Sequence, residues 1–254
     1  MKLKGNTILI TGGGSGIGKG LALAFHELGN KVIIAGRDTK KLNSTIDAHP
    51  GMEALSLDIA NTEDTQRFAA EVSERYPALN VLINNAGIMK LENLREADFS
   101  DAVATVQTNL LGPICLTTSL LPHLLRQPSA TIINVSSGLA FVPLMSHPTY
   151  SATKAALHSF SISLREQLAG TSVSVVELPP PYVQTELTGE HQAVDPRAMP
   201  LDEFISESME LLGSDESVRE VLVERVTSLR FAERDASFDE VLGHLSQMAA
   251  EFLK

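Results

Sequence analysis

A tyrosine and a lysine four residues apart are the two side chains of this sequence best suited to acid–base chemistry. Tyr150 and Lys154 stand at positions i and i+4, which lie on one face of a helix and can share a site. A nearby cation lowers the pKa of a phenol, so Tyr150 could exchange a proton near neutral pH, as catalysis on an alcohol or ketone requires. Surface pairs without any function have the same spacing, and this pair alone does not exclude that interpretation.

Two further polar residues are candidates for the same site. Ser137 follows a predicted strand and therefore lies at the carboxyl edge of the predicted sheet, although Ser136-Ser137-Gly138 is also a typical turn sequence. Asn109 lies inside a predicted helix, which is unusual for a side chain that competes for backbone hydrogen bonds. Solvent exposure would be a simple explanation for Asn109.

A glycine-rich segment, TGGGSGIG at residues 11–18, follows the first predicted strand and opens the first predicted helix. A pyrophosphate is bound by free backbone N–H groups at a helix N-terminus, and side chains at the closest approach would hold it away. The segment is therefore a candidate dinucleotide site. The alternative is a tight strand-to-helix turn that binds no ligand.

The elements that must position these residues follow a regular alternation. Short β-branched runs are separated by segments whose apolar residues have helical spacing, which indicates βαβ units. The predicted strands are residues 7–11, 31–36, 54–57, 81–84, 131–135 and 172–178, with 221–226 as a weaker seventh. Helices are predicted around 17–28, 40–48, 102–126 and 149–168, and a last one carries Phe238, Val241, Leu242, Leu245 and Phe252.

Such an alternation predicts the α/β class: a Rossmann-type doubly wound parallel sheet of six to seven strands with helices on both faces. Ligands of such sheets bind at the carboxyl ends of the strands. We expect residues 1–254 to form a single dinucleotide-binding and catalytic domain. Within it, an irregular, proline-rich stretch at residues 179–200 begins a segment of about residues 179–212 that is expected to cover the substrate.

Composition excludes several other classes of protein. With 254 residues, 43% of them hydrophobic, the chain can bury a sizeable core. Its formal net charge of −11 and the absence of a segregated basic patch argue against nucleic acid and anionic membranes as partners. A single cysteine excludes a disulfide scaffold and favours a reducing compartment, so we expect a cytoplasmic protein without a metal site.

Taken in order along the chain, these motifs resemble the pattern of the short-chain dehydrogenase/reductase family. The glycine-rich segment, Asn84-Asn85-Ala86-Gly87, Asn109, Ser137 and the Tyr150–Lys154 pair match TGxxxGxG, NNAG, Asn, Ser and YxxxK at the expected separations. The resemblance covers about residues 3–187 and the length suits the compact branch of the family. It implies an NAD(P)-dependent oxidoreductase that transfers a hydride between nicotinamide C4 and a carbonyl or alcohol substrate.

The resemblance also implies a role for each matching residue. Tyr150 would be the general acid or base, and Ser137 would hydrogen-bond the substrate oxygen. Lys154 would lower the pKa of Tyr150 and hold the nicotinamide ribose, while Asn109 would kink its helix and anchor a water in a proton relay. The implied cofactor-binding residues are Gly12, Ser15, Gly16, Ile17, Gly18, Arg37, Asp58, Ile59, Asn85, Ala86, Gly87, Tyr150, Lys154, Val183 and Thr185.

The amides of Asn84 and Asn85 have an alternative, structural use, which we favour for Asn84.

The residues at the end of the second strand decide between the two nicotinamide cofactors. Gly36 stands where NAD-preferring members carry an acidic residue, and the Arg37 guanidinium could bind the 2′-phosphate of NADP. Asp38 would favour NAD, but it directly precedes a predicted helix and is interpreted as its cap. We predict NADP, with NAD less favoured.

The chain departs from the family pattern after the sixth strand. Pro181 replaces a glycine, and the family's glycine-rich ending is missing. Pro180-Pro181, Ala198-Met199-Pro200-Leu201 and Val223-Glu224-Arg225-Val226 are similar to a bacterial subgroup of oxidoreductases associated with the D-alanylation genes of lipoteichoic acid. His147 could touch the substrate, although a loop histidine is more often solvated.

An apolar pocket wall favours an uncharged carbonyl or alcohol as the substrate, although the same residues would pack in any core. The predicted wall consists of Met89, Leu139, Phe141, Leu144, Met145, Tyr182 and Leu187.

Apolar stripes on the predicted helices 102–126 and 149–168 exceed what one sheet face needs. We therefore expect a homodimer, with a homotetramer as the alternative. The competing function is that of a dinucleotide-binding redox sensor or interaction protein with little turnover.

Overall fold

Six parallel strands form the centre of the computed structural model, which describes residues 1–96 and 99–250. The strand order is β3-β2-β1-β4-β5-β6, so the direction of winding reverses between β1 and β4. This reversal opens a crevice at the carboxyl ends of those two strands. The strands are β1 (Thr7–Thr11), β2 (Lys31–Gly36), β3 (Glu53–Ser56), β4 (Leu79–Asn84), β5 (Ala130–Val135) and β6 (Val173–Leu178).

Helices cover both faces of the sheet, which confirms the predicted fold class. Among the described residues they are α1 (Gly16–Glu27), α2 (Thr39–Ala48), α3 (Thr62–Arg75), α4 (Ser100–Val106), α5 (Gly112–Leu124), α6 (Pro148–Gln167), α7 (Glu190–Ala193), α8 (Leu201–Ser214), α9 (Thr227–Arg230) and α10 (Phe238–Ala249). None of these helices combines the length and the apolar character that a membrane crossing requires.

The core lies in two layers because alternate residues of each strand face opposite sides of the sheet. On one side, Ile8 and Ile10 of β1 pack with Phe25 of α1 and Phe204 of α8. On the other side, Leu9 lies in a cluster with the buried faces of α3 and α5. The strands β1, β2, β4, β5 and β6 are therefore buried on both faces, as their continuous apolar runs predict, whereas β3 at the edge of the sheet is only partly buried.

The predicted seventh strand at residues 221–226 is wrong. The segment pairs with β6 only around Glu220, where the N–H of Val221 donates to the carbonyl of Glu177 at 2.8 Å and the N–H of Glu177 donates to the carbonyl of Arg219 at 2.9 Å. The chain then turns into a 3-10 helix at Glu224–Val226. Val221, Val223 and Val226 pack into the hydrophobic core, which explains why valines occur in this segment although it does not pair as a strand.

The predicted cap at Asp38 is confirmed, whereas the predicted helix 102–126 is not continuous. Asp38 caps α2, since its Oδ1 accepts hydrogen bonds from the N–H groups of Lys40 and Lys41, both at 3.1 Å. The predicted helix 102–126 is interrupted: a π-helical turn at Gln107–Leu111 separates α4 from α5. Phe252, which was predicted to lie on the last helix, is outside the described residues.

Candidate active site

A cleft of about 580 Å³ opens at the carboxyl edge of the sheet. The glycine-rich turn after β1, the ends of β4 and β5, the start of α6 and the segment after β6 form its walls. Twelve of the sequence-predicted site residues converge here, whereas Gly18, Arg37, Asp58, Ile59 and Asn109 do not line this cleft. Those that line the cleft are Gly12, Ser15, Gly16, Ile17, Asn85, Ala86, Gly87, Ser137, Tyr150, Lys154, Val183 and Thr185.

The glycine-rich turn is tight because a neighbouring amide is packed into it. A Cβ atom at Gly18 would lie 2.3 Å from Nδ2 of Asn85 and 2.4 Å from the carbonyl oxygen of Gly12. Gly12 and Gly16 have φ angles of +68° and +51°, a region that favours glycine. Ser15 holds the N-cap position of α1 without a side-chain capping bond. At Gly12 and Gly16 the turn therefore presents backbone without a side chain to the cleft, as a pyrophosphate site requires.

The amides of Asn84 and Asn85 both make structural hydrogen bonds. Nδ2 of Asn84 donates to Thr117 Oγ1 at 2.9 Å and to Asn134 Oδ1 at 2.8 Å, which agrees with the structural interpretation of this residue. Nδ2 of Asn85 donates to the carbonyl of Thr11 at 2.9 Å. Asn85 thus ties the end of β4 to the end of β1 and fixes the floor of the crevice.

Ser137, Tyr150 and Lys154 meet on the opposite wall of the cleft, where they are 7%, 7% and 4% exposed. Ser137 is the second residue after the end of β5, and the other two residues lie one turn apart on α6. The hydroxyl of Ser137 lies near that of Tyr150 and favours the charged form of the phenol. Nζ of Lys154 donates to the carbonyl of Val135 at 2.8 Å and lies 5.6 Å from the centre of the Tyr150 ring.

Burial dominates the electrostatics of this group. It raises the pKa of Tyr150 to about 12, and the neighbouring Ser137 hydroxyl, as a potential hydrogen-bond donor to the phenolate, acts in the opposite direction. Burial also lowers the pKa of Lys154 to about 8, against the effect of the Glu177 charge. The net shift of the Tyr150 pKa is therefore opposite to the predicted one. The reason is the loss of water around the phenol, which disfavours its charged form.

Asn109 lies in the π-helical turn and is 1% exposed, so the explanation by solvent exposure is wrong. Its Oδ1 accepts from the N–H of Ile88 at 2.9 Å, and its Nδ2 donates to the carbonyl of Ile88 at 2.8 Å. Nδ2 also donates to Thr153 Oγ1 at 3.4 Å. Asn109 therefore joins the loop after β4 to the helix that carries Tyr150 and Lys154.

A second, smaller cavity of about 200 Å³ lies at the carboxyl ends of β2 and β4. It is lined by residues that include Gly36, Arg37 and Ile59. The Arg37 Nε atom lies 4.0 Å from Oδ1 of Asp58, and both side chains are about half exposed, so this ion pair is weak. Arg37 and Asp58 are thus neighbours at the end of the site where an adenosine would lie.

The segment after β6 is held over the glycine-rich turn by a residue that the sequence analysis missed. Gln192 is 5% exposed, and its Nε2 donates to the carbonyl of Val183 at 2.8 Å and to Thr185 Oγ1 at 3.1 Å. A Cβ atom at Gly16 would lie 3.4 Å from Cγ2 of Thr185. No local pattern identifies Gln192, because its partners Val183 and Thr185 lie nine and seven residues earlier in the chain, before α7.

Glu92 was missed for a similar reason. Its buried carboxylate accepts hydrogen bonds from the N–H of Thr149 at 3.2 Å and from Thr149 Oγ1 at 2.6 Å. It therefore caps the start of α6 beside Tyr150 from a position 57 residues earlier in the chain. A local capping motif would have been visible in the sequence, but this one is not local.

The predicted apolar wall is only partly correct. Met89 and Leu187 line the cleft together with Leu91. The Phe141 ring instead lies edge-on against the His158 ring, with their centres 4.9 Å apart, and the Tyr182 hydroxyl donates to Asp195 at 3.2 Å. Phe141 and Tyr182 thus serve the packing around the site.

His147 is buried and not solvated as expected for a loop histidine. It holds the N-cap position of α6 and is 8% exposed, with its Nδ1 2.9 Å from Ser146 Oγ. Burial lowers its pKa to about 4. The folded protein therefore binds fewer protons at this residue than the unfolded chain does between about pH 4 and pH 6.5.

This difference predicts that folding becomes less favourable as the pH falls below about 6.5. The expected loss from His147 is about 2 kcal/mol in the free energy of unfolding at about pH 5. Urea unfolding at pH 7 and pH 5 measures it, with His147→Asn as the comparison, since asparagine offers Ser146 a partner and does not titrate. Equal losses in wild type and variant would contradict this prediction.

The parallel sheet, the glycine-rich turn and the buried serine, tyrosine and lysine define a dehydrogenase of the Rossmann type. Residues 6–195 match the short chain dehydrogenase family, and the chain belongs to this family of enzymes. It is 40% identical over 256 residues to the uncharacterized oxidoreductase DltE of Bacillus subtilis (strain 168), which covers 97% of this chain and 98% of that protein.

Solved structures of similar proteins have the same fold. A short chain dehydrogenase from Burkholderia cenocepacia J2315 in complex with NADP superposes with a TM-score of 0.81 and 27% identity, over 96% of this chain and 99% of that one. The 3-ketoacyl-(acyl-carrier-protein) reductase from Brucella melitensis complexed with NADH has a TM-score of 0.78 and 27% identity, over 89% of this chain and 100% of that one. The protein is thus an oxidoreductase of this family.

Proposed function

We propose that the protein transfers a hydride between NADP and an uncharged carbonyl or alcohol substrate. The observation that carries the proposal is the meeting of buried Ser137, Tyr150 and Lys154 in one cleft with the glycine-rich turn. Oxidation of NADPH by a panel of apolar ketones and aldehydes tests it. The glycine-rich turn fits a nicotinamide dinucleotide. Its tight packing leaves no room for a Cβ at Gly18, so backbone groups are available for a pyrophosphate at the start of α1.

When bound, the nicotinamide would supply the hydride for reduction or accept it in oxidation. During reduction, negative charge develops on the carbonyl oxygen of the substrate. The Tyr150 hydroxyl gives its proton to that oxygen, and Ser137 donates a hydrogen bond to it. Both donors are already in place on rigid elements, so they stabilise the transition state more than the ground state. In the oxidation direction Tyr150 removes the proton from the alcohol.

Lys154 supports the charged form of Tyr150. After proton transfer a phenolate remains in a buried place, where its charge is unfavourable. The Lys154 ammonium on the same face of α6 offsets this charge and would also hold the ribose of the nicotinamide. Because burial lowers the pKa of Lys154 to about 8, the lysine exchanges protons close to neutral pH and helps to return a proton to the site.

Asn109 acts in this proposal as a positioning residue. Its side chain holds the loop at Ile88 and contacts Thr153, next to Lys154. The π-helical turn brings its Oδ1 within 3.3 Å of the position of a Cβ at Gly87. Loss of this amide would let the wall of the cleft move relative to α6.

The preference for NADP is supported by Arg37 and Asp38. The Asp38 carboxylate accepts two backbone hydrogen bonds of α2, so it already has a structural use, as predicted. Arg37 lines the cavity at the end of β2 beside Gly36, which has no carboxylate to repel a 2′-phosphate. Its guanidinium can bind a phosphate in a forked geometry.

Replacing Arg37 by alanine is expected to weaken NADPH binding by about 10- to 100-fold and to change NADH binding little, because only NADPH carries the phosphate. Titration of nicotinamide fluorescence measures both dissociation constants. Lys4→Ala is the matched control, since it removes an exposed cation near the amino end of β1, at the opposite edge of the sheet. Tighter binding of NADH than of NADPH to the wild type would refute the preference.

We also propose that two copies of the chain form a homodimer in the cytoplasm. Val103 of α4, Leu111 of the π-helical turn and Ile162 of α6 are 40%, 52% and 43% exposed, as the predicted excess of apolar surface on these helices requires. Pairing of two copies would cover them. The single cysteine, Cys115, suits a reducing compartment.

A further inference from the structure

A fully buried carboxylate behind the cleft has no role in the chemistry described so far. Glu177 of β6 is 0% exposed. Its Oε1 accepts a hydrogen bond from Ser136 Oγ at 2.5 Å, and its Oε2 lies 2.6 Å from Nδ1 of His158. An unpaired carboxylate is strongly unfavourable in a protein interior, so these two partners are what makes its burial possible.

Both partners of Glu177 are neighbours of the proposed reacting groups, Ser136 next to Ser137 in the chain and His158 one helical turn from Lys154. Ser136 immediately precedes Ser137, and its N–H donates to the carbonyl of Leu178 at 3.0 Å. On the other side of Ser137, the N–H of Gly138 donates to the carbonyl of Pro180 at 2.8 Å. His158 lies one helical turn beyond Lys154 on the same face of α6. Glu177 therefore connects the segment of Ser137 with the helix of Tyr150 and Lys154.

Aromatic and cationic side chains pack next to the hydrogen-bond network that Ser136, Glu177 and His158 form. The Phe141 ring lies edge-on to His158, and the Arg230 guanidinium lies 4.8 Å from the centre of the Phe141 ring. Arg230 also makes two hydrogen bonds to Glu220, at 2.7 and 3.0 Å. Side-chain atoms of His158, Glu177 and Glu220 lie within 4.8 Å of one another, but the Arg230 cation already neutralises Glu220, which favours a hydrogen-bond network over a metal site.

We propose that Glu177, oriented by His158, is a positioning residue of the enzyme: through Ser136 it fixes the segment 135–137, which carries Ser137 and the Val135 carbonyl that accepts from Lys154 Nζ at 2.8 Å. Other charged groups also face this carboxylate. They are Arg165 of α6, Arg230 of α9, and Arg219 and Glu220 of the segment that pairs with β6. The effect of the Glu177 charge on Lys154, which opposes that of burial, supports the assignment. The role of Glu177 in turnover rests on the proposed function.

The test uses Glu177→Gln, which keeps the shape of the side chain and removes its charge. The protonation of Lys154 is followed by NMR of protein labelled with 13Cε-lysine, with Lys154→Arg to assign the signal. The Lys154 signal is expected to titrate about one pH unit lower in the variant than in the wild type, because an opposite charge is lost. This measurement needs neither cofactor nor substrate, so its failure is distinguishable from a failure of the proposed function.

Activity gives the second readout. With a substrate in hand, Glu177→Gln is expected to lower kcat about tenfold at neutral pH with little change in KM, and to shift the pH profile with the Lys154 titration. Glu220→Gln is the matched control and should change neither, since Glu220 is bonded to Arg230. His158→Gln, which leaves the Glu177 charge in place, should keep the Lys154 titration and lower kcat.

Two outcomes would overturn the inference. The first is a Lys154 titration that does not change in Glu177→Gln. The second is a variant that melts at a lower temperature while its kcat and pH profile remain those of the wild type, which would make the network purely structural. If Glu177→Gln does not fold, an unchanged kcat in His158→Gln decides against it.

Discussion

Phenylalanine in place of Tyr150 is expected to lower kcat by about 10²- to 10⁴-fold, because the variant loses the group that gives and takes the substrate proton. The ring remains and continues to fill its place on α6, where Tyr150 is 7% exposed. The dissociation constant for NADPH is therefore expected to change by less than about threefold. Steady-state NADPH oxidation and fluorescence titration measure the two quantities on the same preparation.

Tyr182→Phe is the matched control for this experiment. The Tyr182 hydroxyl donates to Asp195 in the segment after β6 and does not line the cleft, so its loss should change kcat only slightly. Turnover that survives in Tyr150→Phe would show that another group moves the proton. Loss of NADPH binding in the same variant would show that the tyrosine holds the cofactor site together.

Alanine in place of Gly18 has the second largest expected effect, a loss of at least about 100-fold in NADPH affinity. The added Cβ would lie 2.3 Å from Nδ2 of Asn85 and 2.4 Å from the carbonyl oxygen of Gly12, and neither can move freely. The amide of Asn85 is bonded to Thr11, so the turn and the end of β4 must shift together. Titration with NADPH and thermal melting measure the loss.

Gly243→Ala controls for the general effect of such a substitution. A Cβ at Gly243 meets no atom within 4 Å, and alanine favours the helix α10 in which it lies. Its NADPH affinity should equal that of the wild type, and its melting temperature should not fall. An affinity of Gly18→Ala close to the wild-type value would mean that the glycine-rich turn does not bind the dinucleotide.

The features that depend on neighbouring residues could be predicted from the sequence. Five of the six strands lie where apolar, mostly β-branched runs place them, because these strands are buried on both faces; the edge strand β3 is only partly buried and has a mixed sequence. Asp38 caps the helix that starts directly after it, and the hydrogen bonds of such a cap span only two or three residues. The segment 221–226 misled because burial, like strand pairing, selects for valine.

The features that depend on distant partners could not be predicted. Glu92 caps α6 from 57 residues away, and Glu177 bonds to Ser136 across 41 residues. The upward shift of the Tyr150 pKa has the same origin, since the spacing to Lys154 is visible in the sequence but the burial of the phenol is not. Asn109 was identified by its unusual position, but its two bonds to Ile88 required the structure.

The most direct test of hydride transfer combines NADPH and NADH titrations with a panel of apolar ketones and aldehydes. We predict that NADPH binds more tightly than NADH and is oxidised by at least one member of the panel, with one alcohol formed for each NADPH consumed. Binding of NADPH without reduction of any carbonyl would contradict the proposed reaction. Failure of both nicotinamides to bind would contradict the role of the glycine-rich turn as well.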